Sequence, residues 1–431
     1  MCSVKRIYYP RESCDFLTED WCRSHKRNVP VSERTVPKGI VLPPFQVPNP
    51  FGGFYSETGV LDGNGILIED SGMLAGVATG VPPAVENPEV RSETVIFCGL
   101  LYFHYGHFLI QSTTRLYYAL QNSDFPLVWA VSHIPAELPS YMKEFFRLCD
   151  IPLSRLQLID HPVRYKEVIL PDISSRYFQD WTPEFLLPFR KAAENIPPAP
   201  AEKIYFSRKK WTGVAKCYGE ESLEELFVRN GFTPVMLEKL SLSQQIACIK
   251  GAKVLAGING TAFHNILFGD SGKKLIFLNR NAEYDSQFVM NDACRADWYV
   301  IKVHENPLPV NHPHGPFIVG VTKELKDFCR EHGLRSFNIS FRPGKFLKSF
   351  LKRYMHVYAI KNCSLEFAGR YHNQLPADVL NHLYMQANHG GKRYLIYYIL
   401  GRLLPGKMGE YFRVLYVAAK DSFSQKTEWK Y

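Results

Sequence analysis

Apolar and polar positions alternate with two different periods between residues 60 and 194. Short apolar runs predict buried strands, and apolar positions that recur every three to four residues predict amphipathic helices. The predicted strands are 92–103, 125–131 and 166–171, and the predicted helices are 107–121 and 139–151. Strands that alternate with helices in this way favour a parallel α/β sheet.

The same alternation restarts after residue 202. The predicted strands are 203–208, 233–237, 253–258 and 273–279, and the predicted helices are 222–231, 241–252 and 261–269. Between the two halves lies the sequence NIPPAPAEK, which contains Pro197, Pro198 and Pro200. Because proline cannot continue a helix, this stretch predicts a stiff, extended linker.

These patterns predict an α/β protein with two doubly wound domains and a cleft between them. The predicted divisions are an irregular N-terminal segment (1–59), a first α/β domain (60–194), a linker (195–202), a second α/β domain (203–305) and a basic, mainly helical C-terminal extension (306–431). The N-terminal segment is predicted to be irregular because residues 36–54 are rich in proline and glycine.

Composition narrows the class of protein. The 431 residues are 46% hydrophobic and 14% aromatic, which excludes a largely disordered chain. No apolar run reaches the roughly 18 residues of a spanning helix, and the first residues lack the apolar centre of a signal peptide. We therefore expect a cytoplasmic protein. The ten cysteines are scattered without close pairs, so reduced thiols are expected and thiolate zinc sites are not.

The positive charge belongs to the last quarter of the chain. Residues 326–431 carry 18 Lys/Arg against 7 Asp/Glu, whereas 1–325 carry 33 against 35. Within this quarter, 345–358 predicts a helix with an apolar face and a lysine face. Such a helix either packs on the first domain or lies on an anionic membrane at the inner face. Nucleic acid is the weaker interpretation, because the aromatic residues are not interleaved with the basic ones.

Two loops of the second predicted domain follow strands and carry polar residues. Ser207, Arg208 and Lys209 follow the first strand, and Asn259, Gly260 and Thr261 follow the third, with His264 and Asn265 in the next helix. Strand ends, helix N-termini and cations together describe a phosphate or diphosphate pocket. Each feature alone also fits plain architecture or a solvated loop. The chain has no phosphate-loop or dinucleotide fingerprint.

A histidine pair stands at the predicted strand-to-helix junction of the first domain. His104 and His107 flank Tyr105 and Gly106. A histidine at a helix start suits a neutral general base, and the alternative is a capping or packing role. A metal site at this pair is less favoured, because no third ligand is near in sequence. Arg115, two turns along, is a candidate to pair with an acid or to face a substrate phosphate.

Four blocks in order carry a family resemblance. They are YGHFLIxSxxRL from residue 105, KIYFSRKK from 203, LSLSxQI with GAKVLAGxNGTAxHNILF from 240, and LIFLNR from 275. The order and spacing closely resemble glycosyltransferase family 61, over roughly 60–305. The resemblance implies a GT-B-like architecture of two Rossmann-like domains, acceptor side first and nucleotide-sugar side second. It also implies inversion at the anomeric carbon and a role in capsule-type surface polysaccharide synthesis.

The sequence departs from the family pattern at three positions. Gln111 stands where many members have an acid, Asn259 where many have histidine, and Phe277 where many have glutamate. On the resemblance and the residues together, His107 is the expected base with His104 in reserve, and Gln111 and Arg115 lie on the acceptor side. The expected donor-site residues are Ser207, Arg208, Lys209, Asn259, Gly260, Thr261, His264, Asn265, Arg280 and Gln287. Asn291, which also follows the last core strand, is expected to line the same cleft.

Metal-independent transfer is expected, because the chain lacks the D-x-D sequence of metal-bound donors. The expected partners are a nucleotide-sugar donor and a glycan or lipid-linked acceptor, with no cofactor. Two alternatives stay open. One is a non-catalytic homologue that binds nucleotide or glycan, and the other is a scaffold of a polysaccharide-assembly complex.

Overall fold

The computed structural model describes residues 6–9, 23–48, 54–72, 82, 84–121, 124–177, 179–213, 215–281, 287–306, 315–346, 349, 350 and 353. Before residue 195 the strands are β1 (Ile7–Tyr8), β2 (Glu33–Pro37), β3 (Ile40–Val41), β4 (Phe45–Pro48), β5 (Phe54–Glu57), β6 (Val60–Leu61), β7 (Glu89–Leu100), β8 (Leu127–Ala130), β9 (Leu156–Ile159), β10 (Val163–Pro171), β11 (Ser175–Arg176) and β12 (Asp180–Trp181). After it they are β13 (Lys203–Phe206), β14 (Cys217–Tyr218), β15 (Thr233–Val235), β16 (Val254–Ile258), β17 (Lys274–Asn279), β18 (Asp297–Lys302) and β19 (Phe317–Ile318).

The helices between these strands are of three kinds. The α-helices are α1 (Tyr105–His107), α2 (Leu116–Gln121), α3 (Ser140–Leu148), α4 (Leu187–Ala193), α5 (Glu220–Arg229), α6 (Leu242–Gly251), α7 (Gln287–Ala293) and α8 (Lys323–Glu331). A π-helical turn, Phe108–Ser112, continues α1. The 3₁₀ helices are Glu69–Ser71, Leu153–Arg155, Pro183–Leu186, Leu237–Lys239, Thr261–Phe268 and Pro343–Phe346. The predicted α/β class is confirmed.

The first sheet has the order β6-β3-β10-β7-β8-β9, with β2 also pairing with β10. Strands β10, β7, β8 and β9 are parallel to one another, whereas β2 and β3 run antiparallel to β10. Strand β7 lies between β10 and β8. The chain passes from β7 to β8 and β9 on one side of β7, and then returns to β10 on the other side. The carboxyl end of β7 is therefore a place where the strand order reverses, which is where open α/β sheets bind ligands.

The second sheet is parallel throughout, in the order β1-β18-β17-β16-β13-β15. Its last five strands in chain order, β13, β15, β16, β17 and β18, have the spatial order 2-1-3-4-5. The strand order reverses between β13 and β16. The predicted loops after these two strands, at Ser207 and at Asn259, thus begin at the reversal point of this sheet.

The chain forms two compact units. The first consists of Met1–Ser207, Glu224–Lys302 and Asp327–Arg335, and it contains both sheets. The sequence predicted instead that the chain divides at the linker 195–202. The two-domain GT-B arrangement stays a prediction. The linker residue Ala199 is packed on α6, where its amide donates to Ala247 O at 2.8 Å.

One apolar core joins the two sheets within the first unit. It runs from Ile96 on β7, through Phe145 on α3 and Phe189 on α4, to Phe268 on the 3₁₀ helix that follows β16. The Phe268 ring lies 6.2 Å from the ring of Phe145 and 5.3 Å from that of Phe189. Side chains from both halves of the sequence thus share one apolar interior, which fixes the sheets against common helices.

Two local predictions are corrected by the structure. The segment 1–59, predicted to be irregular, supplies β1 to the second sheet and β2 and β3 to the first. These strands have two to five residues, too few for an alternating pattern to stand out. The predicted helix 107–121 is also interrupted, because the π-helical turn and a turn at 113–115 separate α1 from α2.

The second unit consists of Arg208–Leu223, Val303–Lys326 and Ser336–Tyr431. Its described part includes the parallel pair β14 and β19. Most of the predicted basic helix at 345–358, and the chain after it, lies outside the described residues. Within the described ranges, no helix has the length and apolar character that crossing a bilayer demands.

Candidate active site

The two predicted catalytic histidines stand at the carboxyl end of β7. His104 is the extended residue before α1 and is exposed, whereas His107 is the last residue of α1. Their ring centroids are 5.2 Å apart. Partial desolvation of the ring, and then the neighbouring His107, lower the pKa of His104, which favours the neutral imidazole. The structure therefore brings both side chains together at a strand end, as predicted.

His107 is oriented by the residue one turn later. Its Nδ1 lies 2.5 Å from Oε1 of Gln111, a buried side chain in the π-helical turn. With an amide oxygen as acceptor, Nδ1 carries the proton and Nε2 keeps its lone pair. Gln111 thus fixes the tautomer that a general base needs. As a neutral group, it offers less support than a carboxylate to the imidazolium that forms after proton uptake.

The turn after β16 is built around a glycine. Gly260 has φ 152° and ψ −174°, a conformation essentially restricted to glycine. The preceding Asn259 is buried, and its Oδ1 accepts the backbone N–H of Arg280 at 3.2 Å. This bond connects the loops after β16 and β17. The predicted helix at 261–269 is confirmed as a 3₁₀ helix, which begins at Thr261.

The loops from the two sheets touch at Gly106. A Cβ atom placed there would lie 2.4 Å from Cγ2 of Thr261 and 3.1 Å from Nδ1 of His264. Next to it, the Tyr105 hydroxyl lies 2.6 Å from Asn265 Oδ1 and 3.2 Å from Gln245 Oε1. The absence of a side chain at residue 106 therefore allows the histidine junction to approach the turn after β16.

His264 is a buried histidine on the 3₁₀ helix Thr261–Phe268. Its exposed fraction is 6%, and its ring lies against the backbone of Gly106. Burial, assisted by the nearby His107, lowers the pKa of His264 to about 3. The ring is consequently neutral at physiological pH, and it is suited to hydrogen bonding rather than to carrying charge.

The residues predicted after β13 are already engaged by acids. The Ser207 hydroxyl donates to the carboxylate of Glu224 in the first unit. In the second unit, the Arg208 amide donates to Glu220 Oε1 at 2.6 Å, and the Arg208 guanidinium lies 5.7 Å from the Trp211 ring centroid. Lys209 is exposed. The predicted pocket joining these residues to the 259–265 turn stays a prediction.

Arg115 lies in the core, unlike a residue that faces substrate. Its guanidinium is fully buried and donates to the carbonyls of Pro171 at 2.7 Å, Ser71 at 3.0 Å and Asp70 at 3.2 Å. Burial lowers its pKa to about 10. These bonds tie the end of β10 to the Glu69–Ser71 helix, so the side chain has a structural position.

The carboxyl end of β17 gathers further buried amides. Gln287, predicted for the donor site, donates from Nε2 to Asn291 Oδ1 at 3.1 Å. Arg280, also predicted, is buried between Asn279 and Asn281, which are 3% and 4% exposed. The prediction did not include these two asparagines, although the polar sequence NRN directly after an apolar strand was a signal that could have identified them.

Tyr105 and Gln245 are two further residues that the sequence did not assign. Tyr105 stands between the two histidines, but an aromatic residue there is equally suited to packing. Gln245 lies in an ordinary helical pattern, and nothing local distinguishes it. Within the described part of the chain, no three His, Cys, Asp or Glu side chains form a group able to hold a metal ion.

Parallel strands with polar side chains gathered at their carboxyl ends, as in both sheets here, characterise α/β proteins that bind ligands at strand ends. Residues 105–276 match the family model described as Glycosyltransferase 61. This match supports a glycosyltransferase family 61 domain over these residues, and with it a glycosyltransferase activity whose sugar type is unresolved. The matched segment includes both the histidine junction and the turn at Gly260. No curated protein sequence matches the chain.

Proposed function

We propose that this protein is an inverting glycosyltransferase that moves a sugar from a nucleotide-sugar donor to a glycan or lipid-linked acceptor. The biological setting that we propose is capsule-type polysaccharide synthesis at the cytoplasmic face of the membrane. The observation that best supports this reaction is the contact at Gly106. There a histidine held in one tautomer by Gln111 lies beside the turn that ends at Thr261.

The proposed reaction needs a base on the acceptor and a positive potential on the leaving group. Nε2 of His107 takes the proton from the acceptor hydroxyl, while the oxygen of that hydroxyl forms a bond to the anomeric carbon. The bond from that carbon to the diphosphate breaks on the opposite side, which inverts the configuration. Backbone N–H groups at the start of the 3₁₀ helix after Gly260 face the developing negative charge.

Metal independence is part of the proposal. The leaving group would be stabilised by backbone N–H groups and by the predicted cations Arg208 and Lys209. Turnover in excess EDTA should then equal turnover with added Mg²⁺ or Mn²⁺. A strict requirement for either ion would refute this part of the proposal while leaving the role of His107 open.

The test of the base compares three histidine variants. His107→Ala should reduce turnover by roughly 10²–10⁴-fold with donor affinity nearly unchanged, because the base acts on the acceptor proton. His104→Ala should reduce it less. His161→Ala is the matched control, since His161 is an exposed histidine bonded to Glu89 and Asp160. Full turnover in His107→Ala together with loss of turnover in His104→Ala would show that His104, and not His107, is the base.

A non-catalytic homologue is the second candidate function, and the Gln111 side chain favours it. An amide at the position that orients His107 cannot accept a proton or carry charge. If wild-type protein binds nucleotide sugars but neither transfers nor hydrolyses them, this candidate replaces the first. Deletion of residues 345–431 that abolishes association with other proteins but leaves turnover intact would add the scaffold role.

A further inference from the structure

A surface loop of the second unit combines basic residues with an exposed tryptophan. Residues 208–216 include four lysine or arginine residues and no acid. Trp211 is 37% exposed, and among the described residues of this unit it is the one large apolar side chain that is exposed. Its ring lies against Gly213, where an added Cβ atom would come within 2.9 Å of Cζ2. The loop therefore presents an aromatic ring among positive charges.

A later segment of the second unit packs beside this loop. The Arg353 guanidinium donates to Thr212 O at 3.2 Å, although the two residues are 141 positions apart. The Tyr218 hydroxyl donates to Ser349 O at 3.2 Å. All four residues belong to the second unit. These contacts join two basic segments, distant in sequence, into one surface.

The short strand β14 shows which face the two segments share. Side chains along an extended chain alternate between two faces, so Lys216 and Tyr218 point to one side and Cys217 to the other. Cys217 is 4% exposed, whereas Lys216 and Tyr218 are half-buried. The Phe346 ring stacks on Tyr218 with 6.4 Å between centroids, and Lys345 Nζ lies 5.9 Å from the Phe346 ring centroid. Lys216 and Lys345 thus lie on the same side of β14.

The charge of this surface has one sign in both segments. Residues 208–219 contain no acid. The described residues between 336 and 353 contain none either, and they include Arg342, Lys345 and Arg353. A surface with cations of one sign attracts polyanions. Basic side chains with an exposed tryptophan are typical of protein surfaces that lie at the boundary between lipid headgroups and water.

Nucleic acid is the weaker partner for this surface. Proteins that bind single strands stack successive bases on several aromatic rings. Here the Tyr218 and Phe346 rings are stacked on each other and half-buried, so among the described aromatic residues of the surface Trp211 alone is exposed. An anionic bilayer needs no such series of rings, because basic side chains supply the attraction to its headgroups.

We propose that Lys210, Trp211, Lys216, Lys345 and Arg353 form a surface that binds an anionic lipid bilayer. The four cations attract headgroups such as phosphatidylserine, and Trp211 enters the boundary between headgroups and acyl chains. This inference rests on the membrane setting of the proposed function and names the residues that contact the lipid. It does not depend on the transfer chemistry, and it leaves out the two cations proposed for the diphosphate.

The first test measures sedimentation of the full chain with phosphatidylcholine vesicles that contain about 30% phosphatidylserine. Wild-type protein should bind these vesicles, and it should bind vesicles of pure phosphatidylcholine at least about tenfold more weakly. Raising NaCl from about 0.1 M to about 0.5 M should release the protein, because salt screens the attraction. Equal binding to both kinds of vesicle would overturn the inference.

Charge reversal in each segment tests whether the two segments form one surface. Lys210 and Lys345 are exposed, so Lys210→Glu and Lys345→Glu should leave Tm nearly unchanged. Each should weaken binding to the phosphatidylserine vesicles by at least about fivefold, and the double variant should weaken it further.

The matched control for the double variant is Lys166→Glu with Lys239→Glu. These lysines are exposed in the first unit, and their reversal changes the net charge by the same amount. The control should bind the phosphatidylserine vesicles more tightly than the double variant. Equal binding by the two proteins would show that net charge or another part of the chain carries the attraction, and it would overturn the inference.

Contact between Trp211 and lipid is tested with vesicles whose acyl chains carry bromine, which quenches tryptophan fluorescence on contact. Quenching should be stronger in wild-type protein than in Trp211→Phe, which keeps an aromatic ring at this position. Equal quenching in the two proteins would show that Trp211 does not enter the bilayer, and this part of the inference would fail.

The outcomes separate this inference from the proposed function. If Lys210→Glu and Lys345→Glu lose vesicle binding but turn over the donor in solution as wild-type protein does, both stand. If wild-type protein binds the vesicles through these residues but neither transfers nor hydrolyses nucleotide sugars, the surface stands and the proposed function fails. If wild-type protein binds a single-stranded oligonucleotide but not the vesicles, or binds neither, the inference is overturned.

Discussion

Gly106 is the position where one added methyl group should separate the two sheets' loops. In Gly106→Ala the new Cβ would lie 2.4 Å from the Thr261 methyl group and 3.1 Å from His264 Nδ1. Carbon atoms in contact prefer a separation of about 3.5–4.0 Å, so α1 or the 3₁₀ helix must move by roughly 1 Å. That movement would displace His107 from the turn at Gly260 and Thr261.

The magnitude follows from two opposing terms. Overpacking of this kind typically costs about 1–3 kcal/mol, while alanine is favoured over glycine in a helix by about 0.5–1 kcal/mol. We therefore expect a net loss of about 1–2 kcal/mol in the free energy of unfolding. For a chain of this length the corresponding fall in Tm is about 1–4 °C. Turnover should fall more strongly, because a 1 Å displacement of a catalytic group can cost about 10²-fold.

A double-mutant cycle tests the contact directly. Thr261→Ser removes the methyl group that the new Cβ would meet, so Gly106→Ala with Thr261→Ser should recover at least about 1 kcal/mol of favourable coupling. Gly63→Ala is the control, since the added Cβ would lie 3.4 Å from its nearest neighbour. Calorimetric unfolding and steady-state kinetics give both readouts. Additive effects, or a more stable Gly106→Ala variant, would refute the close approach of the two loops.

Two further predictions concern buried charge and protonation. The pKa of His264 falls from an unfolded value of about 6.5 to about 3 on folding, so the unfolded state binds the proton first and stability is lost as pH falls below 6.5. Wild-type protein should lose about 2 kcal/mol more than His264→Gln between pH 8 and pH 5 in denaturant unfolding, and equal losses would contradict the neutral buried ring. Arg115→Lys should lower the free energy of unfolding by about 2–4 kcal/mol with acceptor KM unchanged, because a single ammonium cannot bond three carbonyls in the geometry of the guanidinium. A raised acceptor KM with unchanged Tm would instead show that Arg115 contacts the acceptor.

Much of the second half of the chain follows from local sequence. The strands β13, β15, β16 and β17, and the helices α5 and α6, occupy the predicted segments to within a few residues. Helix α6 shows why, since Ser241 and Gln244 form a capping box that fixes its start. Apolar runs bounded by glycine or polar residues specify such elements without help from distant residues, and the placing of polar loops at strand ends follows from the parallel sheet.

What local sequence could not determine are the contacts between distant segments. The π-helical turn at 108–112 and the pairing of β1 with β18 depend on packing partners that no local pattern reveals. The engagement of Ser207 by Glu224 and of Arg115 by three carbonyls likewise depends on residues far along the chain or on backbone atoms.

The same distinction applies to the candidate site. The sequence determined that His104, His107 and the turn at Gly260 follow buried strands, because residue type and periodicity are local properties. Only the tertiary structure decided that Gly106 meets Thr261 and that His264, Asn279 and Asn281 are buried. Those facts depend on how two sheets share one core, and that packing is set by long-range interactions that periodicity does not encode.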